Sequence, residues 1–168
     1  MKIAIGSDHR GYELKEYIKK TVEGHEFVDF GTDSEDSCDY PDFAIKVAQS
    51  VAKGESERGI LICATGIGMS ITANKVRGAY AALVLNEKMA EFSRRHNNAN
   101  IIVLPADLIE KDDAIKFIDI FMKTDFEGKR HARRFDKIRE YENQLVDRKV
   151  FEKLQKELRK WQSRAWLR

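Results

Sequence analysis

A chain of 168 residues with 42% hydrophobic content has the size and composition of one folded domain rather than a disordered segment. Its Lys+Arg count of 30 against 28 Asp+Glu leaves a formal charge of +2, without the basic excess of a nucleic-acid binder. Two cysteines, Cys38 and Cys63, make no disulfide framework, and the histidines at 9, 25, 96 and 131 show no zinc-site spacing, so no metal is expected. The opening MKIAIGSD turns polar too soon for a signal peptide, and no apolar run approaches the roughly 20 residues of a membrane helix. A cytoplasmic protein is the expectation.

Short apolar runs alternate with segments of helical spacing. Lys2–Ser7 reads as a strand, and Tyr12–Val22 as a helix with Leu14, Tyr17, Ile18 and Val22 near one stripe. Strand Glu26–Phe30 precedes helix Pro41–Val51, which has proline in its first turn and an apolar face of Phe43, Ala44, Val47, Ala48 and Val51. Strands Gly59–Cys63, Tyr80–Leu85 and Asn100–Leu104 then alternate with helices Met69–Val76, Lys88–His96 and Asp112–Met122. Several of the strands are apolar at successive positions, which suits burial on both faces. The pattern predicts an α/β fold: a doubly wound, Rossmann-like, five-stranded parallel sheet with flanking helices.

Residues 1–140 are expected to form this domain and residues 141–168 a helical extension of it. The segment from about Arg130 to Arg168 is strongly charged, yet Phe151, Leu154, Leu158 and Trp161 follow one another at spacings of 3, 4 and 3. That stripe belongs to a long helix, packed either on its own domain or against another subunit.

Ligands of open α/β sheets bind beyond the carboxyl ends of the strands, so the polar residues there are the ones to weigh. Thr65-Gly66-Ile67-Gly68 follows a strand and opens a helix, where free N–H groups favour an anion. Such a turn is structural as often as catalytic, and it matches neither GxGxxG nor a P-loop. Cys63 beside it reads either as a reactive thiol, with a pKa lowered by the helix start, or as a small buried hydrophobe. Asp8-His9 reads as an acid/base and phosphate pair or as a helix cap with a surface histidine. His96 reads as a functional base or as the cation closing a helix, and Arg130-His131-Ala132-Arg133-Arg134 as a phosphate grip or a solvated run.

The stretches GSDHRGYELK (6–15), DYPDFA (39–44), GILICATGIGMSITANKVRG (59–78), SRRHNNANI (93–101) and EGKRHARR (127–134), in this order, resemble the type B ribose-5-phosphate isomerases. Galactose-6-phosphate isomerase subunits and allose-6-phosphate isomerases belong to the same family. The resemblance covers roughly residues 1 to 140. It implies an aldose–ketose isomerase acting through a cis-enediol, with no cofactor and a phosphorylated sugar as substrate. It implies Cys63 as the base between C1 and C2, with Thr65 assisting. The N–H groups of Gly66, Ile67, Gly68, Met69 and Ser70 would hold the enediolate. Asp8 and His96 would open the sugar ring, Tyr40 and Asn97 would contact the sugar, and His9, Arg130 and Arg134 would bind its phosphate. It further implies a homodimer or homotetramer with shared active sites, and neither nucleic acid nor membrane as a partner. Three positions depart from the family pattern: Ala64 stands where Gly is usual, and Tyr80 and Asp107 where Arg is common. Asp107 carries the same charge sign as a phosphate and would repel it, so the alternative expectations are another phosphorylated sugar, such as allose 6-phosphate or galactose 6-phosphate, or a non-catalytic sugar-phosphate-binding subunit.

Overall fold

The computed structural model describes the backbone of residues 1–165, with the side chains of residues 1–145, 150–157 and 159. The chain divides into two compact units, Met1–Gly128 and Lys129–Arg168.

In the first unit the strands β1 (Lys2–Ser7), β2 (Glu26–Asp29), β3 (Arg58–Cys63), β4 (Ala81–Leu83) and β5 (Ile101–Pro105) form one sheet in the order β2-β1-β3-β5-β4. Every pairing is parallel, as the apolar runs predict. The helices between them are α1 (Tyr12–Thr21), α2 (Tyr40–Ala52), α3 (Ile67–Ala73), α4 (Glu87–Arg95) and α5 (Lys111–Lys123), with a 3-10 turn at His9–Gly11.

Side-chain alternation along the strands builds two cores. Ile3, Ile5, Ile60, Ile62, Ile102 and Leu104 pack on one face against Leu14 and Ile18 of α1, Ala90 of α4 and Phe117, Ile118 and Phe121 of α5. Ala4, Leu61, Cys63, Ile101 and Val103 pack on the other face against Val47 and Ala48 of α2 and Met69 and Ala73 of α3. Helix α2 lies close because small residues stand beneath it: a Cβ on Gly6 would come within 2.8 Å of Val47.

Two elements are shorter or shifted relative to the sequence reading. Helix α3 begins two residues earlier than expected, because the chain turns at Gly66. Strand β4 is short and its edge is closed by a side chain: Asn74 accepts from the Ala81 N–H at 2.9 Å and donates to the Ala81 carbonyl at 2.8 Å. That amide imitates a strand partner and satisfies an edge that would otherwise be open.

The loop after β2 is tied to α1 through Lys15, whose side chain is 2% exposed. Its ammonium donates to Asp29 at 2.7 Å and to the Thr32 carbonyl at 2.8 Å. Lys19 reaches the same carboxylate at 2.6 Å. Burial pushes the Asp29 carboxyl up, but the two lysines and the Gly31 N–H outweigh it and hold the group below its usual range.

The second unit is the helix α6 (Arg130–Ala165), as the charged, periodic tail predicts. Phe151 and Leu154 of the expected apolar stripe are each 60% exposed; Leu158 and Trp161 fall outside the described side chains. No described helix is long and apolar enough to cross a membrane.

Replacing Lys15 with Ala strands the Thr32 carbonyl and removes one counter-ion of Asp29. Chemical denaturation should show a loss of about 1–3 kcal/mol, below the roughly 3–5 kcal/mol of a fully buried pair because Asp29 is part-exposed and keeps Lys19. A loss below half a kcal/mol would show that the cluster does not hold the loop.

Candidate active site

The carboxyl ends of β1 and β3 lie side by side, with Ser7 in register with Ile62. The order of strands reverses direction at this junction, where doubly wound sheets open a crevice. Asp8 is the next residue on one side and Cys63 the last residue of β3 on the other.

Asp8 is 6% exposed and caps the 3-10 turn, accepting from the N–H groups of Arg10 at 3.0 Å and Gly11 at 3.1 Å. The cap reading of the sequence is therefore correct, but the capping carboxylate also faces the thiol. Burial pushes its carboxyl above the usual value, although the Gly11 N–H, His9 and the Arg10 N–H pull the other way.

Cys63 is 5% exposed. The chain then turns at Gly66, whose φ of +72° lies in the left-handed region that glycine adopts freely. A Cβ there would meet Leu83 at 2.4 Å, so the position admits no side chain without rearrangement. The turn directs the N–H groups of Met69, Gly66 and Thr65 at the Cys63 sulfur. Their effect does not prevail: burial pushes the thiol above its ordinary value, those three donors lower it, and Asp8 raises it further. A thiol pKa lowered by the helix start, one of the two readings of the sequence, is thus corrected. The donors are real, but desolvation is the larger effect.

Thr65 and Ile67 are exposed, Met69 is buried, and Gly68 and Ser70 are half-buried. Tyr40, the first residue of α2, lays its ring across Gly68, where a Cβ would come within 2.7 Å of the ring. Asp8, Tyr40, Cys63 and the 65–70 loop are therefore brought to one edge of the sheet. His9 joins them. Its Nδ1 accepts the Cys38 N–H at 3.2 Å, which assigns the ring proton to Nε2 and leaves that nitrogen as a donor.

His96 and Asn97 are not brought there. They follow α4 and precede β5, so they sit at the amino-terminal edge of the sheet. Asn100, just beyond them, accepts from the Gly59 N–H at 2.9 Å, four residues before Cys63 on β3. At about 3.3 Å per residue that separates the two edges by roughly 13 Å. The His96 ring stacks on Phe92 at 4.6 Å between centroids. Arg130 and Arg134 are exposed, one turn apart on α6 in the second unit.

Three residues escaped the sequence reading. Arg94, 4% exposed, donates to the Ala99 carbonyl at 2.6 Å and the Asn98 side chain at 3.1 Å. Burial pushes its pKa down to about 10. It shapes the turn that carries His96 and Asn97. Its place on the inward stripe with Ala90 and Ser93 was a usable signal. Cys38 orients His9 through its backbone, which no sequence pattern announces. Arg10 donates to Asp107 at 2.8 Å, so the acidic departure is not a bare repelling charge.

These features define a doubly wound α/β protein whose candidate site lies at the carboxyl edge of a parallel sheet, around a buried thiol and a buried carboxylate. The ribose/galactose isomerase family model matches residues 3–138. A probable ribose-5-phosphate isomerase B of Mycoplasma genitalium is 46% identical over 146 residues, covering 84% of this chain and 96% of that one. The ribose-5-phosphate isomerase B structure of Clostridium thermocellum superposes with a TM-score of 0.84 at 50% identity, over 86% of this chain and 99% of that one. The Mycoplasma genitalium enzyme with bound ribulose-5-phosphate superposes with a TM-score of 0.80 at 44% identity, over 84% and 96%. The chain belongs to the ribose/galactose isomerase family.

The raised pKa of Asp8 carries a sign. The folded state binds its proton more tightly than the unfolded chain. This contribution to stability is therefore full below about pH 4 and is lost as the pH rises through the folded value. Asn caps the same N–H groups without a charge. Denaturation at a series of pH values should show Asp8→Asn gaining on the wild type as the pH rises across that interval. A variant that loses ground to the wild type across the same interval would refute the sign.

Proposed function

We propose that this chain interconverts ribose 5-phosphate and ribulose 5-phosphate through a cis-enediol. The observation that carries the reading is the Cys63 thiol, buried beside Asp8 and faced by three backbone N–H groups. The bound ribulose-5-phosphate of the Mycoplasma genitalium relative supports the substrate.

In the aldose-to-ketose direction, the Cys63 thiolate takes the proton from C2 of the open-chain sugar. The C–H electron pair becomes the C1–C2 double bond, and negative charge moves onto the C1 oxygen. Donors on the 66–70 loop stabilise that charge as it develops. The C2 hydroxyl then passes its proton to the C1 oxygen, its O–H pair forms the C2 carbonyl, and the electron pair of the C1–C2 double bond takes the proton back from Cys63 onto C1, regenerating the thiolate. The burial that makes the thiolate scarce also makes it more basic, which suits abstraction from carbon. Thr65, exposed at the start of the turn, assists the proton transfer. Asp8 serves ring opening, and His9 meets the phosphate through Nε2–H.

His96 and Asn97 lie at the wrong edge of the sheet to serve the same chain's thiol. This supports a homodimer, or a homotetramer built from dimers, in which each site takes these two residues from a neighbour. Arg130 and Arg134 would then complete the phosphate contacts. The assembly is expected in the cytoplasm.

Turnover of purified protein should be higher with ribose 5-phosphate than with allose 6-phosphate or galactose 6-phosphate. Cys63→Ala should lower kcat roughly 10²- to 10⁴-fold, the range for losing a general base. Full turnover by that variant would mean another group takes the proton. Cys63→Ala and His96→Ala should also complement each other. After mixed refolding, half the dimers are hybrids with one intact site of two, so about a quarter of wild-type activity returns if sites are shared. No recovery would assign both residues to the same chain's site.

A further inference from the structure

A cleft of about 380 Å³ opens at the same edge of the sheet, lined among others by His9, Arg10, Ala106, Asp107, Glu13 and Lys111. Its cations are not free. Arg10 Nη2 meets Asp107 Oδ2 at 2.8 Å, and Lys111 meets Glu13 at 3.2 Å. The backbones that carry the first pair are fixed from the site itself. The Arg10 N–H is held by Asp8 at 3.0 Å, and the Asp107 N–H by the carbonyl of Ala64 at 3.0 Å, one residue beyond Cys63. His9 and Arg10, adjacent on the 3-10 turn, both face this cleft, and His9 offers it an N–H donor.

The Arg10–Asp107 contact is a single bond between side chains 57% and 38% exposed. Exposed pairs of this kind are weak and exchange readily. A phosphate dianion presents more charge than a carboxylate and two oxygens to the planar guanidinium fork. We propose that Arg10 is the second arm of the phosphate subsite beside His9, and that Asp107 is its internal counter-ion, displaced when the phosphate of the substrate arrives. Asp107 thereby tunes affinity: it pre-aims Arg10 across the cleft in the empty protein and competes with the ligand for it. The inference rests on the sugar-phosphate reading above and adds a specificity residue to it.

The test is calorimetric titration of the full-length protein with inorganic phosphate, alongside KM and kcat for ribose 5-phosphate, in Arg10→Gln, Asp107→Asn and the double variant. Losing a charge-assisted hydrogen bond should weaken phosphate binding and raise KM about tenfold or more in Arg10→Gln, with kcat within about threefold of wild type. Asp107→Asn should tighten phosphate binding and lower KM, by about two- to fivefold, because a competitor is removed. The double variant should match Arg10→Gln, since Asp107 acts only through Arg10. Wild-type phosphate affinity in Arg10→Gln, or an Asp107→Asn effect that persists without Arg10, would overturn the proposal. If phosphate binding follows the pattern but ribose 5-phosphate is not turned over, the subsite stands and the isomerase reading falls. If turnover is found while phosphate affinity ignores both substitutions, the subsite falls and the isomerase reading stands.

Discussion

The site is organised by the conflict between burying the Cys63 sulfur and surrounding it with N–H donors. Burial follows from the fold. Cys63 is the last residue of the central strand β3 and points into the core formed with α2 and α3. The donors follow from one backbone angle, the left-handed Gly66, which turns the chain back over the strand end. A thiolate in that place lacks water but has three dipoles aimed at it. Asp8 adds a second buried acid beside it, and burial raises both groups. Burial thus disfavours the charged form of both neighbouring groups, and the two cores on either side of the sheet hold the strand ends that carry them.

The same sheet explains why the residues expected at the site fall at two opposite edges of one chain. Helices in a parallel α/β unit run back against their strands, so residues that start a helix share the carboxyl edge and residues that end one share the opposite edge. Tyr40, Gly66 and Ser70 belong to the first group, His96 and Asn97 to the second. The investment in the second group is considerable. Arg94 is buried at the cost of a lowered pKa so that its guanidinium can hold Asn98 and Ala99, and with them the turn that presents His96. A turn so firmly built at an edge remote from its own chain's thiol fits a surface made to meet another subunit.

Much of this was legible before the structure. Several uninterrupted apolar runs suited strands covered on both faces, and the five parallel strands are there. The glycine pair after β3 marked the turn, and the motifs around Asp8, Cys63 and His96 marked the family. What the sequence hid was physical context. The direction of the Cys63 pKa depends on a contest between desolvation and dipoles that residue identity does not decide. Asp107 looked like an unopposed negative charge, because its partner Arg10 is 97 positions away and belongs to a different loop. Arg94 and Arg95 are neighbours of identical type, yet one is a buried brace and the other an exposed ion-pair partner of Glu91 and Glu127. Helical phase separates them; composition does not.

The claim on which the rest turns is that Cys63 is a buried, reluctant acid whose thiolate is strongly basic. Direct titration of the Cys63 thiol, followed by the NMR shift of its labelled Cβ in a variant with Cys38→Ser, measures this without reference to any substrate. A midpoint above the ordinary thiol value of 9.0 is the predicted result. A midpoint at or below that value would mean that the N–H groups outweigh burial, and that the base at this site is an activated thiolate rather than a sequestered one.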